Sequence, residues 1–232
     1  MTVHLYPLPP LLLTTGKVSA IMQRNSGSNI AADSSLPTDI KEAKKLLRAR
    51  SRTGLMALSP SMKQEFSRQT ARNISGWEIF RRARYIAGFA ADPNEPDLRD
   101  IFDRRFIFPR WNGNSYEMAH PDWDAPEPWS KGRFGLAEPT GSICSASDSP
   151  DVLWLVPGVV FSSDGGRIGR GGGFYDRLLA RARGVFCGVF FDCQLTEAVP
   201  VEPHDCILHF LASESSIRPT AAGDQFFNGR IR

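Results

Sequence analysis

The sequence predicts an α/β protein with three layers, α/β/α, around a mostly parallel central sheet. Three observations predict it. Val152-Leu153-Trp154-Leu155-Val156 is apolar on both faces, as suits a strand buried inside a parallel sheet. Strand-like runs alternate with helical segments, the pattern of layered α/β domains. A glycine-rich stretch, 169–173, joins a strand region to a helix.

The elements follow in order. Thr38 or Asp39 caps a helix over Lys41–Arg52, with Glu42 in its first turn and Ala43, Leu46 and Leu47 as its apolar stripe. Lys44 and Arg48, four residues apart, project from one face. By itself such a pair is a solvated basic face. Ser59-Pro60 opens a second helix to Ile74, with proline at its first position. Trp77–Arg84 continues as helix or turn. Tyr85–Ala90 reads as a buried strand, Asp92–Pro96 as the loop at its end, and Asp97–Arg105 as a short helix. Phe106–Pro109 is a second strand. Residues 111–129 are loop with one strand near 115–119. Phe134–Pro139 is a turn segment, and a serine-rich connector follows at 142–149. Strands at 152–156, 185–191 and 207–212 complete the sheet. A helix over 174–183 stops at Gly184.

Composition narrows the class. Hydrophobic residues make up 41% and charged residues 23%, as in a globular domain, and the net charge of +3 from 28 basic and 25 acidic residues is too balanced to indicate nucleic acid. The basic first helix lacks interleaved aromatics, which argues further against nucleic acid. No apolar run reaches the roughly 20 residues of a membrane span. The four cysteines, 144, 187, 193 and 206, show neither zinc-site nor disulfide spacing, so reduced thiols in a cytoplasmic compartment are expected. Residues 1–38 are expected to lie outside the domain, 39–215 to form it and 216–232 to be a tail. The acid-free N-terminal stretch faintly resembles a mitochondrial presequence, but its prolines oppose an amphipathic helix; Met22 as the true start is a further reading.

Arg167-Ile-Gly-Arg-Gly-Gly-Gly-Phe-Tyr-Asp-Arg177 carries the chemistry. Glycines let backbone approach a ligand, and a helix start with two nearby arginines favours an anion. Asp176 could offer an oxygen to Mg²⁺. The parts suit a polyphosphate with its metal; the alternative is a tight strand-to-helix turn needing glycine only for geometry, with Asp176 as a helix-start residue.

These residues resemble the 5-formyltetrahydrofolate cyclo-ligase (methenyltetrahydrofolate synthetase) family. Val156-Pro157-Gly158-Val159-Val160-Phe161 followed by Gly165-x-Arg167-Ile168-Gly169-Arg170-Gly171-Gly172-Gly173-Phe174-Tyr175-Asp176 is similar to the family's hallmark. Lys44-x-x-Leu47-Arg48, Glu95, Phe108-Pro109-Arg110, Phe134-Gly135-Leu136-x-Glu138-Pro139, and Gln194, Pro200, Glu202, His204 and Asp205 occur in the family's order. The resemblance covers about residues 40–215. It departs at Ser162, at Ser213 and at Asp103-Arg104-Arg105, and residues 111–129 are hard to align.

The resemblance implies a Rossmann-like domain and an ATP- and Mg²⁺-dependent enzyme. Its product would be 5,10-methenyltetrahydrofolate, with ADP and phosphate released. Lys44 and Arg48 match nucleotide-binding positions, and Arg167, Ile168, Gly169, Arg170, Gly171, Gly172, Gly173, Phe174 and Tyr175 match the ATP loop. Arg170 to Phe174 also match folate-lining positions, and Glu95 a substrate-binding acid. Asp176 and Asp205 match the Mg²⁺ ligands. Lys44, Arg48 and Arg170 would stabilise the transferring phosphoryl group, and no role falls to His204. A small-molecule partner, no membrane and a monomer are expected. The other reading is a non-catalytic nucleotide- or folate-binding relative that kept the fold.

Overall fold

The computed structural model describes residues 39–132, 135–145, 149–202 and 205–228. The expected N-terminal extension, Phe134 and His204 lie outside the described residues.

Helix α1 spans Ile40–Ala57; Asp39 caps it by accepting from the Lys41 N–H. Its buried face is Ala43, Leu47, Ser51 and Leu55, one residue per turn. Helix α2, Pro60–Gly76, is capped by Ser59, and α3, Glu78–Arg82, follows directly. Then come β1 (Tyr85–Ala87), β2 (Phe106–Trp111), β3 (Tyr116–Ala119), β4 (Trp129–Lys131) and β5 (Ala137–Pro139). After them lie β6 (Val152–Val156), β7 (Val160–Ser162), β8 (Arg167–Ile168), α4 (Phe174–Leu179), β9 (Val185–Val189), β10 (Leu195–Thr196), β11 (Phe210–Ala212), β12 (Ile217–Pro219) and α5 (Ala221–Asn228).

Seven strands form the main sheet in the order β12-β11-β9-β6-β1-β2-β3. Neighbours from β11 through β2 are parallel, and β12 and β3 add antiparallel edges. Alternate side chains enter two cores, one on each face. Leu153, Leu155, Val185, Cys187, Phe106 and Phe108 pack on the α2 side with Ala71 and Ile74. Val152, Trp154, Val156, Phe186 and Ile107 pack on the α4 side with Leu179. Burial on both faces explains why β6 and β9 are apolar throughout. The expected three layers are therefore present.

Several local expectations change. The first strand stops at Ala87, although Gly88 N–H still donates to Ile107 at 2.9 Å. The segment 97–105 forms one turn of 3-10 helix at Arg99–Ile101. Helix α4 is six residues and ends at Leu179, short of Gly184. The turn segment 134–139 contributes β5, paired with β4. Arg167 and Ile168, expected in loop, form β8 antiparallel to β7. The expected tail carries β12 and α5, whose Phe226 packs on His209 at 4.5 Å. Its signal was weak because an edge strand three residues long leaves little period to read.

Chain order sets where a ligand fits. From β1 the chain steps to β2 and β3 on one side, then returns to β6, β9 and β11 on the other. The reversal lies between β1 and β6. In open α/β sheets the crevice at the carboxyl ends of such strands takes ligands. Here the loop after β1 carries Glu95, and the segment after β6 runs through the β7–β8 hairpin into the glycines.

Candidate active site

A cavity of about 560 Å³ opens at that crevice, within the range of small-molecule sites. All the sequence-predicted site residues line it: Lys44, Arg48, Glu95, Arg167 to Asp176, and Asp205. Residues 161 positions apart in the chain thus meet across one space.

Helix α1 forms one wall. Ser51 Oγ donates to Val159 O at 2.5 Å, and Arg48 Nε donates to Gly169 O at 2.8 Å. These bonds pin the helix to both halves of the hallmark stretch. Gln194, only 2% exposed, ties the same stretch from below: its Nε2 donates to Gly158 O and Val159 O, and its Oε1 accepts from Phe191 N–H. One turn before Arg48, Lys44 Nζ reaches Glu202 at 2.7 Å and Asp205 at 3.1 Å. Burial disfavours the Lys44 charge, yet the hydrogen bonds to Glu202 and Asp205 outweigh it and raise its pKa.

The floor is Arg167, whose side chain is 3% exposed. It forms an ion pair with Asp176 and stacks 5.8 Å from the Tyr175 ring. Its buried Nε has no acceptor among the described residues. The Tyr175 hydroxyl is pushed far above its usual pKa by burial, so it stays protonated. Gly171 and Gly173 adopt left-handed φ of 97° and 60°, which costs residues with a Cβ. A Cβ on Gly172 would meet nothing within 4 Å, so that face of the loop is open. Because α4 is so short, its dipole adds little.

The opposite wall is acidic and aromatic. Arg170 pairs with Asp92 and, at 2.8 Å, with Glu95. Burial, then the neighbouring Asp92 charge, raises the Glu95 pKa despite Arg170 and the Asp92 N–H. Phe174 meets Tyr116 edge-on at 4.2 Å, and Tyr116 meets Trp111 at 5.0 Å. Glu138, 7% exposed, accepts from the Trp111 N–H at 3.2 Å.

Trp111, Tyr116, Glu138 and Asp92 were missed from sequence. Trp111 pairs with Tyr116 across a turn in which Asn112 Oδ1 caps Asn114 and Ser115. Asn112-Gly113 between those aromatics is a hairpin signature that could have located them. Asp92 carried no signal, since its role arises only when Arg170 folds against it.

The residues fit a magnesium–nucleotide. Mg²⁺ keeps several waters and takes one or two carboxylates beside phosphate oxygens. Asp176 and Asp205 line the same cavity, and no cluster of three or more ligating side chains exists among the described residues to form an all-protein cage. Burial pushes the Cys206 thiol up to about 11 and raises Cys187 as well, so neither is a thiolate near neutral pH. No described helix is long and apolar enough to cross a membrane.

Comparison with known proteins agrees with this geometry. A 5-formyltetrahydrofolate cyclo-ligase of Mycolicibacterium smegmatis is 28% identical over 182 residues, covering 72% of this chain and 93% of its own. That of Escherichia coli K12 is 28% identical over 177 residues, covering 69% and 94%. The solved structure of Aquifex aeolicus 5,10-methenyltetrahydrofolate synthetase superimposes with a TM-score of 0.67 at 28% identity, covering 77% of this chain and 93% of that one. The 5-formyltetrahydrofolate cyclo-ligase family model matches residues 40–212, which span α1 to β11 and every residue of the cavity, and the chain belongs to that family.

Proposed function

We propose that the protein converts 5-formyltetrahydrofolate to 5,10-methenyltetrahydrofolate, using ATP with Mg²⁺ and releasing ADP and phosphate. One observation carries the reading: groups suited to a polyphosphate and groups suited to a flat, N–H-bearing heterocycle line a single cavity.

The formyl oxygen is a weak nucleophile and a poor leaving group. Its attack on the γ-phosphorus breaks the bond to ADP and leaves a phosphorylated iminium. N10 then adds to that carbon and gives up its proton to solvent or to the departing phosphate, and ring closure expels phosphate. Phosphoryl transfer depends mostly on alignment and charge neutralisation. Lys44 and Arg48, one turn apart on α1, supply fixed charge beside the loop. The open face at Gly172 admits phosphate oxygens to backbone N–H groups. Asp176 and Asp205 would hold Mg²⁺, which neutralises charge on those oxygens when bound. Glu95 accepts N–H donors of the pterin, and Phe174 with Tyr116 and Trp111 packs against it. Arg170, already on Glu95, stands where both reactants meet. Because the formyl oxygen attacks the γ-phosphorus directly, no protein nucleophile is needed.

The test is an absorbance assay. Purified protein with 5-formyltetrahydrofolate and MgATP should give the near-ultraviolet band of the methenyl product together with ADP. Absence of an ATP-dependent signal overturns the reading.

A further inference from the structure

Glu202 lines the cavity on the segment after β10, three residues before Asp205, and the reaction steps give it no part. The two acids close one turn. Glu202 N–H donates to Asp205 Oδ2 at 2.8 Å, and Asp205 N–H donates to Glu202 O at 2.9 Å. From α1, Lys44 Nζ donates to Glu202 Oε2 at 2.7 Å and to the same Asp205 Oδ2 at 3.1 Å. One ammonium is thus shared between two carboxylates, and the shorter bond goes to Glu202. Side-chain exposure tells the two acids apart: 11% for Asp205 against 42% for Glu202, with Lys44 at 14%. Asp205 is the inner partner and Glu202 the outer one.

A charge as enclosed as Lys44 needs a partner. Asp205 cannot serve it fully while also holding a metal ion, because two cations then draw on one carboxylate. Glu202 is the acid left to keep the ammonium. With Glu202 in place, Asp205 can turn to the metal while Lys44 stays charged and one turn from Arg48. With the Glu202 charge gone, Lys44 has Asp205 as its one ion-pair partner among the described residues. Ammonium and metal then compete for it.

We propose that Glu202 is a positioning residue, which holds Lys44 so that Asp205 is released to the metal of the nucleotide. The inference rests on the function proposed above. It gives Glu202 an effect on nucleotide binding that needs the metal and is exerted through Lys44.

Calorimetric titration with a non-hydrolysable ATP analogue tests it, with Mg²⁺ or with a chelator in its place. Glu202→Gln keeps the size of the side chain and removes its charge at a half-exposed position. It should weaken binding of the Mg²⁺ complex about two- to fivefold, the scale of a partly exposed ion pair. Without metal, binding should not weaken, since the variant removes a negative charge beside the phosphates. The affinity for 5-formyltetrahydrofolate and the melting temperature should hold. In a Lys44→Met or Lys44→Gln background, Glu202→Gln should cause no further loss. Equal weakening with and without metal, or a loss of folate affinity, would mark a structural defect and overturn the proposal. A metal-dependent loss that persists without Lys44 would make Glu202 a direct metal ligand and overturn it as well. If the wild type binds the Mg²⁺ complex and Glu202→Gln binds it equally well, the positioning role is overturned while the enzymatic reading stands. If the wild type binds neither nucleotide nor folate, both are overturned.

Discussion

At the scale of single residues, the site is a set of shared charges. Arg170 serves Asp92 and Glu95 together, and Lys44 serves Glu202 and Asp205. Glu95 is expected to bind the pterin as a carboxylate, yet burial and the Asp92 charge raise its pKa. The KM for folate should therefore climb as pH falls, starting above the ordinary carboxylate range. Asp92→Asn removes the like charge and lowers the Glu95 pKa, so the climb should begin at a lower pH. A KM–pH profile measured on both proteins checks this, and coincident profiles would contradict it. Asp176, the proposed metal ligand, also pairs with Arg167, which lies nearly buried beneath it. Asp176→Asn should abolish turnover and also cost about 1–3 kcal/mol of stability, the worth of a hydrogen bond to a charged group. Denaturant titration beside the assay separates the two losses; full activity in that variant would sink the metal assignment.

Among elements, the glycine loop divides its labour by position. Gly171 and Gly173 are needed for backbone angles, whereas Gly172 has ordinary φ and empty space where a Cβ would stand. Gly171→Ala should destabilise the free protein by about 1–2 kcal/mol through left-handed strain. Gly172→Ala should leave the melting temperature unchanged and raise the KM for ATP, because its methyl would occupy ligand space. Thermal melts with and without nucleotide distinguish them. A loss of stability in Gly172→Ala equal to that of Gly171→Ala would refute the division. The same stretch shows what spacing cannot convey. Its first two residues are strand β8, because pairing with β7 satisfies them, and the helix that follows is short.

For the whole molecule, the C-terminal segment is structural. β12 covers the β11 edge, Thr220 Oγ1 donates to Leu208 O at 2.7 Å, and Phe226 lies on His209. Phe226→Ala should cost about 1–3 kcal/mol, read as a drop of roughly 2–4 °C per kcal/mol in a domain of this size. Truncation after Ser216 should expose a strand edge and cause aggregation in light scattering. A soluble truncated protein with an unchanged melt would return the segment to the status of a tail. Class, layering and the central strands were legible from sequence because a strand buried on both faces must be apolar throughout. The glycine loop, Lys44, Arg48, Asp176, Asp205 and Glu95 were legible as motif residues, since such chemistry needs particular side chains. Only the fold decided which of them share partners. The pairing of Arg170 with Asp92, the wall of Trp111 and Tyr116, and the sharing of Lys44 between Glu202 and Asp205 join segments far apart in the chain. Such proximity follows from strand order and packing, which local residue pattern does not encode.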